Sequence, residues 1–467
     1  MYSGLKLGEC YMCQKNKKRF SAIYTSILIT VFIMLATLSI IGALREKWNA
    51  RSFAAPVESL TNFTYEIEGG ENGNATFPYS FKNIDPHTAV TIHSEVEPGL
   101  YDSLLVKTVY TGLRLYADDI LIYECGQAGS YPTYLLDPPT LLEIVPLPEN
   151  ATNLRFEYIS PSQRSTMSLP VVMAGSDGEL LADLFIKNSV ILMLSLLFLL
   201  FGAVMVGYSL LFWNKGKVFI NLGLFALAVG CWSFAECNAT AFIVPYPVLL
   251  YYIAFGGFFT LIIPLLRYML LILNPRNSMP MRLISIVVQV TVVVVFALQL
   301  MGKMALSKSL YLFHILVPLG VIVFAITTIW EHFRYHNKMS KQFVLPSLVL
   351  VIATLTELAN YSFRFTHILS LFFLLGTFIF TLMLGIIGMK RVLEKQKETE
   401  KMLAEGKFYR RMSHNLLTPL SIVSTNVQIA KMLPEQAEEL LTNSQAEIMK
   451  MADMIRSALN DSEVDNK

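Results

Sequence analysis

Eight blocks of apolar residues, each about the length of a membrane-spanning helix, constrain this 467-residue chain more than any other feature. They fall at roughly 22–44, 187–212, 218–237, 247–273, 282–301, 309–330, 343–363 and 368–389. A helix needs ~20 such residues to cross hydrocarbon, where its backbone polar groups must be satisfied internally. A hydrophobic fraction of 54% and only 15% charged residues exclude an ordinary soluble globule. Short connections between the last seven blocks predict a bundle of antiparallel neighbours. The apolar core of the first block outruns the ~7–15 residues of a signal peptide, so it reads as an uncleaved anchor. Cleavage near Ala54-Ala55 stays compatible with the topology.

Lys15, Lys17, Lys18 and Arg19 precede the first block and predict a cytoplasmic N-terminus. Eight crossings then place Lys215, Lys217, Arg276, Arg282, Arg334, Lys338, Lys341, Lys390, Arg391 and Lys395 on the cytoplasmic side. The outer loops between the later spans keep only Lys303, Lys308 and Arg364. Both termini are therefore expected inside, with residues 45–186 outside. The net charge of +2 carries no sign of nucleic-acid binding. Cys10 and Cys13 form a lone C-x-x-C, an incidental reduced pair unless two chains together supply zinc with four ligands.

Residues 45–186 alternate apolar and polar side chains in short runs, such as 89–93, 104–109 and 154–158, between Gly, Pro, Asn and Asp clusters. The apolar arms Leu113–Tyr116 and Ile120–Tyr123 flank Ala117-Asp118-Asp119, a hairpin signature. The pattern predicts one antiparallel β-sandwich. Tyr131 and Tyr134, in the 126–139 loop, offer either ring stacking for a sugar or simple packing. Four Asn-x-Thr sequons begin at Asn62, Asn74, Asn150 and Asn238, all on the predicted outer face.

Glu236, His314, Glu357 and Asn360 lie near the outer ends of three spans, with Arg364 capping one of them. Ionisable groups in a bilayer are costly, so this cluster is either an outward-facing sensing pocket or a set of structural and snorkelling residues. Arg267 reads as an interfacial snorkelling residue. A transporter is the competing class for such a bundle, but the sequence shows no internal repeat.

Past the last block, residues 390–407 form a charged, helix-favouring run. Leu416, Leu420, Val423, Val427 and Ala430 then make one apolar stripe. Ala437, Leu440, Leu441, Ser444, Ile448, Met451, Ile455 and Leu459 make a second, after a break at Pro434. One hairpin cannot bury both stripes, whereas two hairpins can, as a dimeric four-helix bundle. His414 would face solvent on the first helix, with Thr418 one turn later on the same face.

The string Ser413-His414-Asn415-Leu416-Leu417-Thr418-Pro419-Leu420 resembles the H-box of bacterial sensor histidine kinases, and the resemblance extends over 389–462. It implies that His414 accepts a phosphoryl group and that Thr418 occupies the position that helps dephosphorylate a response regulator. Asn415 stands where that family usually has an acidic base, and Leu417 replaces a common Arg. No glycine-rich nucleotide motif or Walker lysine follows, so ATP and Mg are expected only through a separate ATPase domain acting in trans or missing. The chain itself is expected to hold no cofactor or metal and not to autophosphorylate alone.

Over residues 60–390, the Asp-turn hairpin followed by seven spans resembles the 7TM-DISM receptors, whose outer domains are jelly rolls like carbohydrate-binding modules. The expected organisation is a cytoplasmic N-terminus (1–21), an anchor helix (22–44) and an extracytoplasmic all-β sandwich (45–186). A seven-helix transmembrane bundle (187–389), a signalling helix (390–407), the dimerisation and phosphoacceptor hairpin (408–462) and a tail (463–467) follow. The resemblances imply a multi-pass sensor of two-component signalling in a bacterial plasma membrane. Its expected partners are membrane lipid, a second copy or a full-length histidine kinase, and a response regulator. The alternative is a receptor without enzymatic activity that modulates such kinases by dimerising with them.

Overall fold

The computed structural model describes residues 57–464, apart from 213–215, 217 and 364–369. The expected anchor at 22–44, the Cys10–Cys13 pair and Arg364 lie outside the described residues. The chain divides into two compact units, Met1–Ile387 and Gly388–Lys467.

Among the described residues, twelve strands open the first unit. They are β1 (Glu58–Ser59), β2 (Asn62–Ile67), β3 (Asn72–Thr76), β4 (Tyr79–Lys82), β5 (Ala89–Glu95), β6 (Ser103–Thr108), β7 (Gly112–Ala117), β8 (Ile120–Cys125), β9 (Leu141–Pro146), β10 (Asn153–Ile159), β11 (Thr166–Leu169) and β12 (Met173–Gly175). A six-stranded sheet runs in the order β3-β2-β5-β10-β7-β8, a four-stranded sheet in the order β1-β12-β6-β9, and β11 pairs with β4. Alternation decides which side chains meet. Val90, Ile92, Leu113, Leu115, Phe156 and Tyr158 of the first sheet share one core with Leu104, Val106, Val145 and Ala174 of the second. The two sheets therefore pack face to face, the sandwich that the alternation predicts.

The hairpin between β7 and β8 turns on Asp118 and Asp119, whose φ angles of 46° and 69° are both left-handed. Two such residues match the twist of flanking strands, and short acidic side chains tolerate the conformation when they bond locally. Asp118 does so across to the next strand. Its Oδ1 accepts the Asn153 N–H at 2.9 Å and the Thr152 hydroxyl at 2.9 Å. The Asn153 N–H, followed by the Thr152 hydroxyl, holds this carboxyl below its ordinary range.

Strand β6 is covered on both faces. Leu104 and Val106 point into the sandwich, whereas Leu105 packs on Leu180 and Leu184 of the first helix. By the same alternation Lys107 shares the face of Leu105. The first helix, α1 (Asp177–Leu211), begins ten residues before the apolar block expected from 187. Asp177 and Glu179 suit the positive end of the helix dipole, and Glu179 accepts the Ser176 N–H at 3.3 Å. Residues 177–186 are therefore helix, not the end of the sandwich.

The remaining described helices of this unit are α2 (Phe219–Glu236), the short α3 (Thr240–Ile243), α4 (Pro247–Thr260), α5 (Ile262–Leu273), α6 (Met279–Leu300), α7 (Leu306–Tyr335) and α8 (Lys338–Phe363). Helix α9 starts at Leu371 and ends in the second unit at Met432. By length and composition seven helices among the described residues can cross a membrane, with α4 and α5 joined at Leu261 as one of them. Their count matches the last seven apolar blocks. Large apolar side chains on outer faces, such as Leu200, Val293 and Ile326, remain exposed as lipid-facing residues do. Polar contacts sit between helices instead. The buried Ser195 and Ser233 hydroxyls join α1 to α2 at 2.8 Å, a recurrent bond between membrane helices.

The 126–139 loop turns toward the helices. Gln299 Nε2 donates to the Tyr134 carbonyl at 2.7 Å, and the Tyr134 ring lies 6.4 Å from that of Tyr252. These contacts favour packing over sugar stacking for Tyr134. Arg267 Nη2 reaches Gln289 Oε1 at 3.1 Å from an exposed position, consistent with an interfacial role.

In the second unit α9 is followed by a 3₁₀ turn (Pro434–Gln436) and α10 (Ala437–Val464). Pro434 opens that turn, since its fixed φ suits a helix start and it has no N–H to satisfy there. Ser444 is buried between the helices, yet Leu420, Leu441 and Ile448 are half or more exposed. A single hairpin leaves these stripes open, as the spacing argument anticipates.

Candidate functional site

His414 lies on α9 with its imidazole exposed. Helical spacing sets Thr418 one turn toward the C-terminus on the same face. The intervening residues divide by environment: Leu416 is half-buried, Leu417 points outward with 61% of its surface exposed, and Pro419 is buried. Pro419 lacks an N–H, so the backbone bond it would give to Asn415 is missing, which loosens the helix one turn after the histidine.

A groove of about 600 Å³ opens beside this turn. From α9 it is lined by His414, Asn415, Thr418 and Pro419, and from α10 by Glu447, Lys450 and Asp453 among others. Lys450 Nζ meets Glu447 Oε1 at 2.6 Å, which leaves the Asp453 carboxylate as the acid of the groove without a lysine on it. The site thus combines a solvent-facing imidazole, a hydroxyl one turn away, a carboxamide and a mixed-charge wall. A neutral imidazole nitrogen attacks phosphorus well at cytoplasmic pH. Asn415 can hydrogen-bond but cannot take a proton there.

The α10 wall is the part that the sequence reading missed. A signal existed: His414 lies twenty residues before Pro434 and Met454 twenty after it. Folding the hairpin about Pro434 therefore sets the 447–454 segment against the histidine.

The candidate sensing residues occupy different settings. Glu236 ends α2 and lines a second cavity, at the junction of sandwich and helices. His314 Nδ1 lies 2.8 Å from the Leu310 carbonyl of its own helix, and its ring sits 5.3 Å from Phe258. Asn360 is buried, and Arg364 is outside the described residues.

Glu357 caps the start of α9. Its carboxylate accepts the N–H groups of Ser370 at 2.7 Å, Phe372 at 3.0 Å and Phe373 at 3.4 Å. Those are orphan donors of a helix terminus, and an anion there also meets the positive end of the dipole. Glu357→Ala is expected to cost about 2–3 kcal/mol, because charge-assisted bonds in apolar surroundings leave their donors bare when removed. Denaturant titration of the protein in detergent micelles measures this. Glu357→Gln, which keeps an accepting oxygen, should lose less than half as much.

No curated protein matches the chain. Residues 404–467 match the model of the His Kinase A (phospho-acceptor) domain, and His414 falls inside that stretch. The match supports a histidine-kinase-family protein of two-component signalling, carried by this segment of the chain.

Proposed function

We propose that the chain is a membrane-embedded sensor of two-component signalling in which His414 is the phosphoacceptor. The observation that carries this reading is the solvent-facing His414–Thr418 turn within a segment matching the phospho-acceptor domain. In the transfer, an imidazole nitrogen of His414 attacks the γ-phosphorus of ATP presented by a catalytic domain. The N–P bond forms, the bond from phosphorus to the β–γ bridging oxygen breaks, and ADP leaves. The imidazole proton passes to water or to the Asp453 side of the groove. A response-regulator carboxylate then takes the phosphoryl group, and Thr418 is placed to position water for the later hydrolysis.

The exposed stripes of α9 and α10 fit a second hairpin, of the same chain or of a histidine kinase. Residues 45–186 face the outside in this reading, and both termini are cytoplasmic. A stimulus at the sandwich biases a two-state element that runs from the last span through residues 390–407 to the hairpin.

Asn415 favours a second reading, in which the hairpin only modulates a partner kinase through dimerisation. Phosphotransfer separates the two. Full chain in membrane vesicles is mixed with a soluble histidine-kinase catalytic domain and γ-³²P-ATP. Alkali-stable, acid-labile label on the chain supports the phosphoacceptor. Lack of label, together with altered activity of a co-expressed kinase, would leave the modulator.

A further inference from the structure

Lys107 is a lysine with no evident purpose in the sandwich. Alternation along β6 turns it to the helix-facing side, where its ammonium donates to the Asn238 side-chain oxygen at 2.7 Å. Burial pushes its pKa below the ordinary lysine value, and nearby Glu236 is the main opposing influence. Among the described residues no carboxylate comes within ion-pairing distance of this ammonium. The Glu236 carboxylate likewise accepts no hydrogen bond from them. Two opposite charges thus face one junction without joining, the Lys107 side chain half-buried and Glu236 on its exposed side.

What separates them is space. A cavity of about 130 Å³ is lined by Lys107, Tyr110, Thr140, Glu236, Asn238 and Tyr251. The ring of Tyr110 meets Tyr251 edge to face at 6.1 Å, and Tyr251 stands 4.7 Å from Phe255, which gives the cavity an aromatic wall. Tyr110 holds a left-handed φ of 58°, uncommon for a bulky residue, and its outer face is covered by the Arg164 guanidinium at 5.5 Å. Backbone strain of this sort persists where the surroundings fix it, and it clusters at ligand clamps.

We propose that this junction cavity binds a small zwitterion, an amino acid of the size of glycine, β-alanine or alanine. Its carboxylate would meet the Lys107 ammonium and its ammonium the Glu236 carboxylate, with the aliphatic part against Tyr110 and Tyr251. The size limit is physical. At about 30 Å³ per water, the enclosed part of the cavity has room for roughly four waters, which suits a ligand of a few heavy atoms. A simple anion would leave Glu236 facing like charge, and a simple cation would do the same to Lys107. The ligand would bridge strand β6 to the end of helix α2, tying sandwich to bundle. The proposal is independent of the phosphohistidine reading.

The test is thermal unfolding of the full chain in detergent micelles with glycine, β-alanine or L-alanine, beside propanoate and ethylammonium. At least one zwitterion should raise Tm in a saturable way, with neither single-charge analogue doing so. Lys107→Met and the near-isosteric Glu236→Gln should each weaken that apparent affinity at least tenfold. Should Lys107→Met fail to fold, Glu236→Gln and Asn238→Ala carry the test. The proposal is overturned if no zwitterion shifts Tm of the unaltered chain. Propanoate binding as tightly and indifferent to Glu236→Gln would also overturn it, as an anion site. A loss of unliganded stability in the variants, without zwitterion binding by the unaltered chain, would assign these residues a structural role only.

Discussion

His414→Gln is expected to remove all alkali-stable, acid-labile label from the chain when it is offered γ-³²P-ATP and a histidine-kinase catalytic domain. The effect is all-or-none because no other described side chain in the groove has a nucleophilic ring nitrogen, and a phosphoryl group needs one to form an N–P bond. Gln preserves side-chain length and helix propensity, and position 414 is exposed, so helical content by circular dichroism should not change. Two companions sharpen the result. Asn415→Asp restores a group able to take the imidazole proton, and it should raise the labelling rate by ~100-fold, the lower end of what general-base catalysis contributes. Thr418→Ala should leave labelling intact while slowing loss of phosphate from the response regulator. If His414→Gln kept its label, the acceptor would lie elsewhere.

Gly223→Leu is expected to destabilise the helix bundle by about 3 kcal/mol or more, a typical upper value for overpacking a close contact. Helices α1 and α2 approach through glycines. A Cβ at Gly223 would stand 2.9 Å from the Gly202 carbonyl oxygen and 2.9 Å from the Val206 nitrogen. One at Gly202 would meet the Gly223 carbonyl oxygen and the Leu227 nitrogen, each at 2.8 Å. One at Gly230 would stand 2.9 Å from the Leu199 nitrogen. These neighbours are backbone and cannot swing aside, so the helices themselves must part. Small residues permit such approach between membrane helices, where packing rather than water drives association.

The sign of an alanine substitution is the sharper test. Helix propensity alone makes Gly→Ala favourable by up to about 1 kcal/mol. Gly207→Ala, on the same α1 but with open space around it, should show that gain. Gly223→Ala should show a loss instead. Unfolding in mixed micelles reads both, and equal behaviour of the two variants would refute the glycine seam.

The parts of this fold that were legible in sequence are those written as periodicity. Runs of about twenty apolar residues announce helices because a bilayer offers backbone groups no other partner. Period-two alternation at Ala89–Glu95 and Asn153–Ile159 announced strands because one face of each is core. The start of α1 was missed because Asp177–Lys187 is polar enough to read as soluble domain, and its signal was the Ser176–Glu179 cap rather than hydropathy. The His414–Thr418 pair was readable since the two residues lie one turn apart, so spacing alone orients them. Glu447 and Asp453 needed the hairpin to be folded about Pro434. Lys107 was not legible at all. In its strand it is one polar residue among alternating ones, and only the three-dimensional contact with Asn238, 131 residues later, distinguishes it.

That contact bears on how the protein can be made. Asn238-Ala239-Thr240 is an acceptor sequence for N-linked glycan, and the Asn238 side chain is half-buried against the Lys107 ammonium. In the proposed orientation, which puts Asn238 outside, an oligosaccharide attached to it in a glycosylating host would take the side-chain amide that the Lys107 ammonium holds in the closed junction. Material produced in insect or mammalian cells should therefore carry sugar at Asn238 only on molecules that have not closed this junction. A glycan-occupancy map would then serve as a record of which molecules folded before they were modified.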